Sequence, residues 1–152
     1  MLRWDPASGT ADTLRAGPHF RLAACPGFFV ATTPDTIWQY DRQTLAARAL
    51  STLPARGVLA VAISPDGRTV ATGHSSGAVR VQHLDEADPH DLIGSSGLIR
   101  DLWIEPAGRW LAALVQGNEL VWWPIPRGQS LGALPTTEFL AILGAQTNLR
   151  VV

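Results

Sequence analysis

Residues 73–77, with the sequence Gly-His-Ser-Ser-Gly, have the types and spacing closest to those of a nucleophilic site. In many hydrolases the pattern G-x-S-x-G holds the serine on a sharp turn from a strand to a helix, and an acid and a histidine follow later. Here residues 78–81 read Ala-Val-Arg-Val, an alternation that predicts a strand. We therefore interpret the segment as a β-turn and predict no catalytic residue and no enzyme activity.

The densest group of polar side chains comes shortly afterwards and comprises His83, Asp85, Glu86, Asp88, His90 and Asp91. Carboxylates and imidazoles can ligate a divalent cation. The group lacks the ordered spacing of an EF-hand or a zinc site, and Asp88 and Pro89 are residues that favour turns. We interpret it as a solvated hairpin loop and predict neither a metal site nor a cofactor.

The six tryptophans are the side chains best suited to stacking against a ligand. Trp38, Trp103, Trp122 and Trp123 lie inside strand patterns, where large apolar side chains normally pack in a core. Trp110 directly follows a turn signal at residues 106–108, so we predict that it is partly exposed and contacts a partner. The single cysteine, Cys25, has no His-Asp pair nearby in the sequence, and we expect it to be inert.

The element that carries the Gly-His-Ser-Ser-Gly segment is predicted to be a β-meander over residues 61–81. Apolar residues alternate at its start, and Ser64-Pro65-Asp66-Gly67 then provides a turn, with proline at the second position and glycine at the last. A β-branched run at 69–72 and the alternation from Val79 predict two further strands on either side of the polar break.

The meander recurs in the chain at an offset of 41 residues, the spacing from Gly67 to Gly108. The same offset pairs Val61 with Leu102, Pro65 with Pro106, Val79 with Leu120 and Val81 with Trp122. An earlier copy pairs Val30-Ala31-Thr32 with Val70-Ala71-Thr72 at an offset of 40. The central unit has a fourth predicted strand near residues 91–93. We therefore expect four strands in each full unit, which is typical of a propeller blade.

The endings Trp4-Asp5 and Tyr40-Asp41, the Ser-Pro-Asp-Gly turn and residues 71–81 together resemble the WD40 repeat family, in a degenerate form typical of bacteria. The resemblance implies an all-β fold of WD40-like β-propeller blades within one domain, residues 1–152. Its parts would be a half blade at 1–17, three four-stranded blades at 18–55, 56–96 and 97–135, and a tail at 136–152. Gln82-His83 and Trp123-Pro124 replace the usual Trp-Asp ending, so we expect the blades to depend on apolar packing.

The tail has two interpretations. Thr136 could cap a short helix in which Phe139, Leu140 and Leu143 share a face. Alternatively, residues 139–143 and 149–152 are two further strands. We favour the helix because no Pro-Gly turn marks the corner found in the other units.

Three full blades and a half blade do not comfortably close a ring, since propellers have roughly four to eight blades. One interpretation, which we favour, is that the chain is the C-terminal part of a larger propeller. A second is that several copies associate to complete a ring. A third is that the tail and the half blade close a ring of four.

Family resemblance implies an interaction scaffold that binds another protein or another domain of the same polypeptide. The binding face in this family is formed by loops between the second and third strands and between blades, which here contain His74, Ser75 and Gln116, and Arg56 and Ser95. The alternative is a ligand-binding or lactonase-like hydrolytic propeller. Such sites repeat carboxylates at equivalent positions, whereas Asp35, Ser76 and Gly117 stand at those positions here.

Bulk composition limits the other functions. The net charge of the 152-residue chain is −1, so the basic surface that nucleic-acid binding needs is not expected. The sequence contains no run of about 18 apolar residues, so we predict no membrane span. The single cysteine and the lack of a signal segment at the start favour a cytoplasmic location.

Overall fold

A computed structural model describes residues 2–5, 7–13, 21–33, 36–50, 57–86, 88–93, 96–128 and 137. In this part of the chain all thirteen elements are β-strands. They form antiparallel sheets of two, three and four strands. The prediction of an all-β fold is confirmed at this level.

Four sheets follow one another along the chain. The N-terminal hairpin consists of β1 (Leu2–Asp5) and β2 (Thr10–Thr13). The first sheet contains β3 (Arg21–Ala24), β4 (Phe28–Thr32), β5 (Ile37–Asp41) and β6 (Ala47–Ala49). The second contains β7 (Val58–Ile63), β8 (Thr69–His74), β9 (Val79–His83) and β10 (His90–Leu92). The third contains β11 (Ile99–Ile104), β12 (Trp110–Val115) and β13 (Glu119–Pro124).

In every sheet each strand pairs with the next strand in sequence, which is the order of a meander. The predicted turn between β7 and β8 is present: the N–H of Gly67 donates to the carbonyl oxygen of Ser64 over 2.9 Å, and Gly67 has a φ of +73°. The Ser64 hydroxyl donates to Asp66 Oδ1 and accepts from the Thr69 N–H. Glycine is favoured here because a side chain would be strained at this φ.

The second and third sheets share an irregularity that supports their equivalence. Pairing of β7 with β8 shifts between Val58 and Ala60, and pairing of β11 with β12 shifts between Ile99 and Asp101. Each strand therefore holds an unpaired residue at a position related by the same sequence offset. Bulges of this kind bend a strand at a defined point, so the two sheets have the same local shape.

The first strands of the three larger sheets lie side by side, because β7 contacts both β3 and β11. One face of the second sheet, including Val61 and Val70, packs with Val30, Ile37 and Leu50 around the first sheet. The opposite face packs against the third sheet through Ala60, Ala62, Ala71, Val79 and Val81. Alternate residues of β7 therefore belong to two different cores, as the period of two requires.

Gly73 allows the third sheet to approach the second closely. A Cβ atom at this position would lie 2.7 Å from Ile99 Cβ and 3.3 Å from Leu102 Cδ1. Ile99 and Leu102 are both buried. The side chains of β11 therefore rest directly on the backbone of β8.

The register of the first sheet corrects the offset of 40 predicted for Val30-Ala31-Thr32. The N–H of Cys25 donates to the Phe28 carbonyl oxygen. In the equivalent turns of the other two sheets, the N–H of Ser64 donates to the Thr69 carbonyl oxygen and that of Glu105 to the Trp110 carbonyl oxygen. Phe28 is therefore equivalent to Thr69, and Val30 to Ala71, because this turn is two residues shorter than its counterpart. A shift of one residue reverses the face of a strand, which places Val30 in the core between the first and second sheets.

Two of the predicted core tryptophans are exposed. Trp103 and Trp122 lie on the outer face of the third sheet, which no described element covers, whereas the exposure predicted for Trp110 is confirmed. Loop residues Arg56 and Ser95 lie outside the described residues. So does the predicted tail, apart from position 137.

Candidate interaction surfaces

We use the name loop end for the end of the second and third sheets at which a turn joins β8 to β9 and another joins β12 to β13. In the first of these turns the His74 N–H donates to the Ala78 carbonyl oxygen over 3.0 Å. In the second, the Asn118 N–H donates to the Val115 carbonyl oxygen over 3.2 Å. Gly77 and Asn118 both have positive φ angles, the conformation that reverses a chain within a few residues.

Ser75 and Gln116 make the same backbone contact in the two turns. The Ser75 N–H donates to the carbonyl oxygen of Gly57, and the Gln116 N–H donates to that of Leu98, each over 2.9 Å. Both acceptors come just before the first strand of the sheet. Each turn is thus held to the start of its sheet, and both side chains are exposed.

These predicted residues lie at the same end of the molecule. Gly73, near the end of β8, packs against Ile99 at the start of β11, and Ile99 pairs with Val115 next to Gln116. His74 is half-buried, and its Nε2 lies 3.1 Å from Thr72 Oγ1. The loop end therefore presents an imidazole, a hydroxyl and an amide, which can exchange hydrogen bonds with a partner.

An ion pair braces the second sheet below His74. Arg80 Nε donates to Asp91 Oδ1 over 2.6 Å and Arg80 Nη2 to Oδ2 over 2.7 Å. These hydrogen bonds, together with the charges of Arg80 and His74, lower the pKa of Asp91. A bidentate pair fixes the orientation of both side chains, so it holds β10 on the edge of the sheet.

The Gly-His-Ser-Ser-Gly segment connects two strands. Ser75 follows β8, and β9 begins at Val79. The strand-to-helix turn that a nucleophilic serine of this pattern needs is therefore replaced by a β-turn.

The polar group at residues 83–91 differs from the predicted solvated loop, because His83 and His90 are buried. His83 Nε2 lies 2.7 Å from the Pro126 carbonyl oxygen, and Nδ1 lies 2.9 Å from Thr69 Oγ1. A carbonyl oxygen only accepts, so Nε2 carries a hydrogen, and Nδ1 shares a second hydrogen bond with the Thr69 hydroxyl. His83 thus joins the second sheet to the segment that follows β13.

Gln82 fixes the backbone of the same loop. Its Nε2 donates to the carbonyl oxygens of His83 and Glu86, each over 2.7 Å. Within the described ranges, no three His, Cys, Asp or Glu side chains are grouped as a metal ion would require. The two hydrogen bonds of its ring give the buried His83 a structural role.

The second surface is the outer face of the third sheet, which we call the tryptophan face. Trp103 and Trp122 both pair with Ala112, one on each side, and Trp110 lies two residues before Ala112 on the same face. Together with Leu120, these tryptophans are 45–64% exposed. The small Ala112 forms the floor of a groove of about 470 Å³, whose edge includes Glu105 and Pro106.

The predicted contact residues consequently fall on two surfaces. Trp110 begins β12, whereas Gln116 follows its last residue, so the two side chains lie at opposite ends of one strand. Sequence reasoning missed the tryptophan face. A signal was present in the repeat, because Trp103 stands where the second sheet has Ala62, and Trp122 where it has Val81.

Comparison with known proteins adds no family. No protein-family model matches the chain, and no curated protein matches its sequence. None of the described residues belongs to a helix with the length and apolar character needed to cross a membrane.

Proposed function

We propose that the chain is a protein-protein interaction module built from WD40-like propeller blades, and that it binds its partner at the loop end. The observation that carries this proposal is the repeated contact of Ser75 with Gly57 and of Gln116 with Leu98. It gives two successive sheets the same rigid turn at the same edge. Loops positioned by a rigid scaffold are where binding residues concentrate.

The stacking of the sheets supports the propeller part of the proposal. Each larger sheet is a meander, and the first strands β3, β7 and β11 are neighbours. In a propeller, four-stranded sheets are arranged around a channel. The first strands would line this channel, and the loop end would surround one of its openings.

The chemistry of the loop end fits a polar segment of a protein partner or of another domain in the same polypeptide. His74, Ser75 and Gln116 offer donors and acceptors, and no large apolar side chain occurs among these three. Arg56 and Ser95, which precede β7 and β11 in the sequence, remain candidate contact residues of this proposal. A cytoplasmic location and a role without nucleic acid or membrane complete the proposal.

Quantitative affinity capture tests this function. The immobilised chain and the triple variant His74→Ala, Ser75→Ala, Gln116→Ala are incubated with lysate of the source cells, and captured proteins are compared by mass spectrometry. The matched control is Arg68→Ala with Arg109→Ala, two exposed arginines in turns at the opposite end. We expect the triple variant alone to lose a captured protein at least tenfold, the size of one or two hydrogen bonds.

The proposal is wrong if the wild type and the triple variant capture the same proteins equally, provided that their melting temperatures agree. The alternative of a hydrolytic propeller is tested in parallel with a panel of esters and lactones. Turnover by the wild type that Ser75→Ala abolishes would support that alternative instead.

A further inference from the structure

The tryptophan face corresponds to a surface that is covered elsewhere in the molecule. On the second sheet the equivalent residues Ala62, Val79 and Val81 are buried beneath the third sheet. On the third sheet Trp103 is 47%, Leu120 55% and Trp122 64% exposed. Contiguous apolar surfaces of this kind mark interaction sites.

The first sheet has the complementary feature. Val61 and Leu102, each three residues before a turn, project from β7 and β11 into the core shared with the preceding sheet. The turn at Cys25 makes Leu22 their equivalent on β3. Leu22 is 55% exposed, so the described part of the chain, including the N-terminal hairpin, leaves this inserting residue half uncovered.

We propose that these two faces meet between two copies of the chain: β3 of one copy packs on the tryptophan face of the other. The contact continues a series, because the chain already uses it twice, between the first and second sheets and between the second and third. Of the three interpretations of ring closure, association of copies is the one in which these two faces, which no described element covers, meet each other. The proposal shares the blade arrangement with the proposed function but concerns other surfaces.

Side-chain volumes fit this partner. Inside the chain, large residues such as Ile99 and Leu102 rest on small ones, Gly73 and Ala62. At the proposed contact the receiving face has the larger Leu114 and Trp103 at those positions, so room for them must come from smaller residues on β3 beside Leu22. Close packing requires that large groups meet small ones, and β3 supplies Ala24 where β7 has Ile63 and β11 has Ile104.

Ring closure indicates two copies. The contact is heterologous, since different faces of each copy meet, and such contacts either close into a ring or grow into a filament. Two copies bring together six larger sheets and two hairpins. That number lies within the range of roughly four to eight blades that propellers use.

Light scattering coupled to size-exclusion chromatography tests the proposal on the full chain. We expect twice the chain mass of 16.3 kDa for the wild type. Leu22→Asp and Trp122→Asp each place a carboxylate in the contact and should weaken dimerisation at least about 30-fold, as for a binding hot spot. The matched control is Ile93→Asp, because Ile93 is 84% exposed in the segment after β10, and it should remain dimeric.

Mixing the two variants separates a head-to-tail contact from a symmetric one. Leu22→Asp keeps an intact tryptophan face, and Trp122→Asp keeps an intact β3, so an equimolar mixture regains one complete contact and forms a heterodimer. Circular dichroism verifies that every variant is folded. A monomeric wild type, a dimer that both variants retain, or a mixture that stays monomeric would each overturn the proposal. None of these results bears on capture at the loop end, so the two proposals fail separately.

Discussion

The second and third sheets have the same topology, the same bulge and the same turn contacts, yet their outer faces differ. Residues of the second sheet that face the third are alanine, glycine and valine, whereas the third sheet has tryptophan or leucine at four of the equivalent positions, 103, 114, 120 and 122. Small residues permit a neighbouring sheet to rest on the backbone. Large aromatic residues leave a groove that suits a partner with small side chains.

The difference shows that sheets with the same backbone arrangement can carry different side chains on the same face. Backbone hydrogen bonds and turns determine the sheet, while the side chains of one face determine what covers it. The consequences can be separated by changing equivalent residues in the two sheets. All stability measurements below use the Leu22→Asp background, so that association between copies does not contribute.

Ile99→Ala has the largest expected effect. Ile99 is fully buried against Gly73 between the two sheets, and removing its outer carbons leaves a cavity beside backbone that cannot collapse. We expect a loss of about 4 kcal/mol in the free energy of unfolding, measured by urea denaturation. Leu120→Ala on the exposed face of the third sheet is the control and should cost less than about 1 kcal/mol. Equal losses would mean that the two faces are not differently covered.

Gly73→Ala probes the same contact from the other side. Its new Cβ would overlap Ile99 Cγ2 and would lie 2.7 Å from Ile99 Cβ, and overpacking of this kind costs about 2 kcal/mol. The Ile99→Ala background removes the overlap with Cγ2 and leaves only the contact with Cβ, so the cost should fall by about 1 kcal/mol. Strict additivity of the two substitutions would show that close approach to Ile99 is not the reason for glycine at this position.

A matched pair of alanines compares the faces directly. Ala71 is fully buried beneath the third sheet, whereas its equivalent Ala112 forms the floor of the exposed groove. Ala71→Val should therefore lower the free energy of unfolding by about 1.5 kcal/mol through overpacking. Ala112→Val should change it by less than about 0.5 kcal/mol. Thermal and urea denaturation give both values, and a larger loss at Ala112 would reverse the assignment of covered and uncovered faces.

Much of the fold could be predicted from sequence because its signals are local. Alternating apolar residues, the turn at Ser64–Gly67 and the offset of 41 residues are each contained in a few neighbouring positions. Matching the two Val-Ala-Thr segments places the first sheet one residue out of register with the second. The match fails because the turn before Phe28 is shorter than the turn before Thr69. Hydrogen bonding at Cys25, which sequence does not show, decides the register.

The candidate surfaces were less predictable because they depend on neighbours in space. Trp103 and Trp122 have the pattern of core residues, and only the arrangement of sheets shows that nothing described covers them. His83 has the composition of a polar loop, but the carbonyl group of Pro126, far along the chain, accepts its hydrogen bond. Whether a strand face or a loop is buried follows from long-range packing and not from the period of the strand.

Thr69→Val concerns the polar edge of the second sheet, where Thr69 pairs with His83, whereas the third sheet has Trp110 paired with Pro124. The substitution keeps the shape but removes the hydroxyl that hydrogen-bonds with His83 Nδ1, which then remains buried without that hydrogen bond. We expect a loss of about 1 kcal/mol in the free energy of unfolding. Thr69→Ser retains the hydroxyl and should recover most of it. A larger loss for Thr69→Ser than for Thr69→Val would indicate that methyl packing, and not the hydrogen bond, is important.

Asp91→Asn has the smallest expected effect and tests the ion pair that the third sheet lacks, since Val121 stands at the position of Arg80. Hydrogen bonds from Arg80 lower the pKa of Asp91 below its ordinary value of 3.8. The ionised carboxylate therefore stabilises the fold fully above pH 3.8, and this contribution is lost as the pH falls through the lowered value.

Because both partners are partly exposed, we expect the wild type to exceed Asp91→Asn by only about 0.5 kcal/mol at pH 7. The difference should shrink in 1 M salt, at which the screening length is about 3 Å, and should also shrink as the pH falls from 7 through the lowered pKa, because the carboxyl then becomes protonated in both states. Urea denaturation over this pH range, with the exposed Asp88→Asn as control, measures it. A difference that grows on acidification would require Asp91 to be stabilised in its protonated form, which the two short hydrogen bonds from Arg80 oppose.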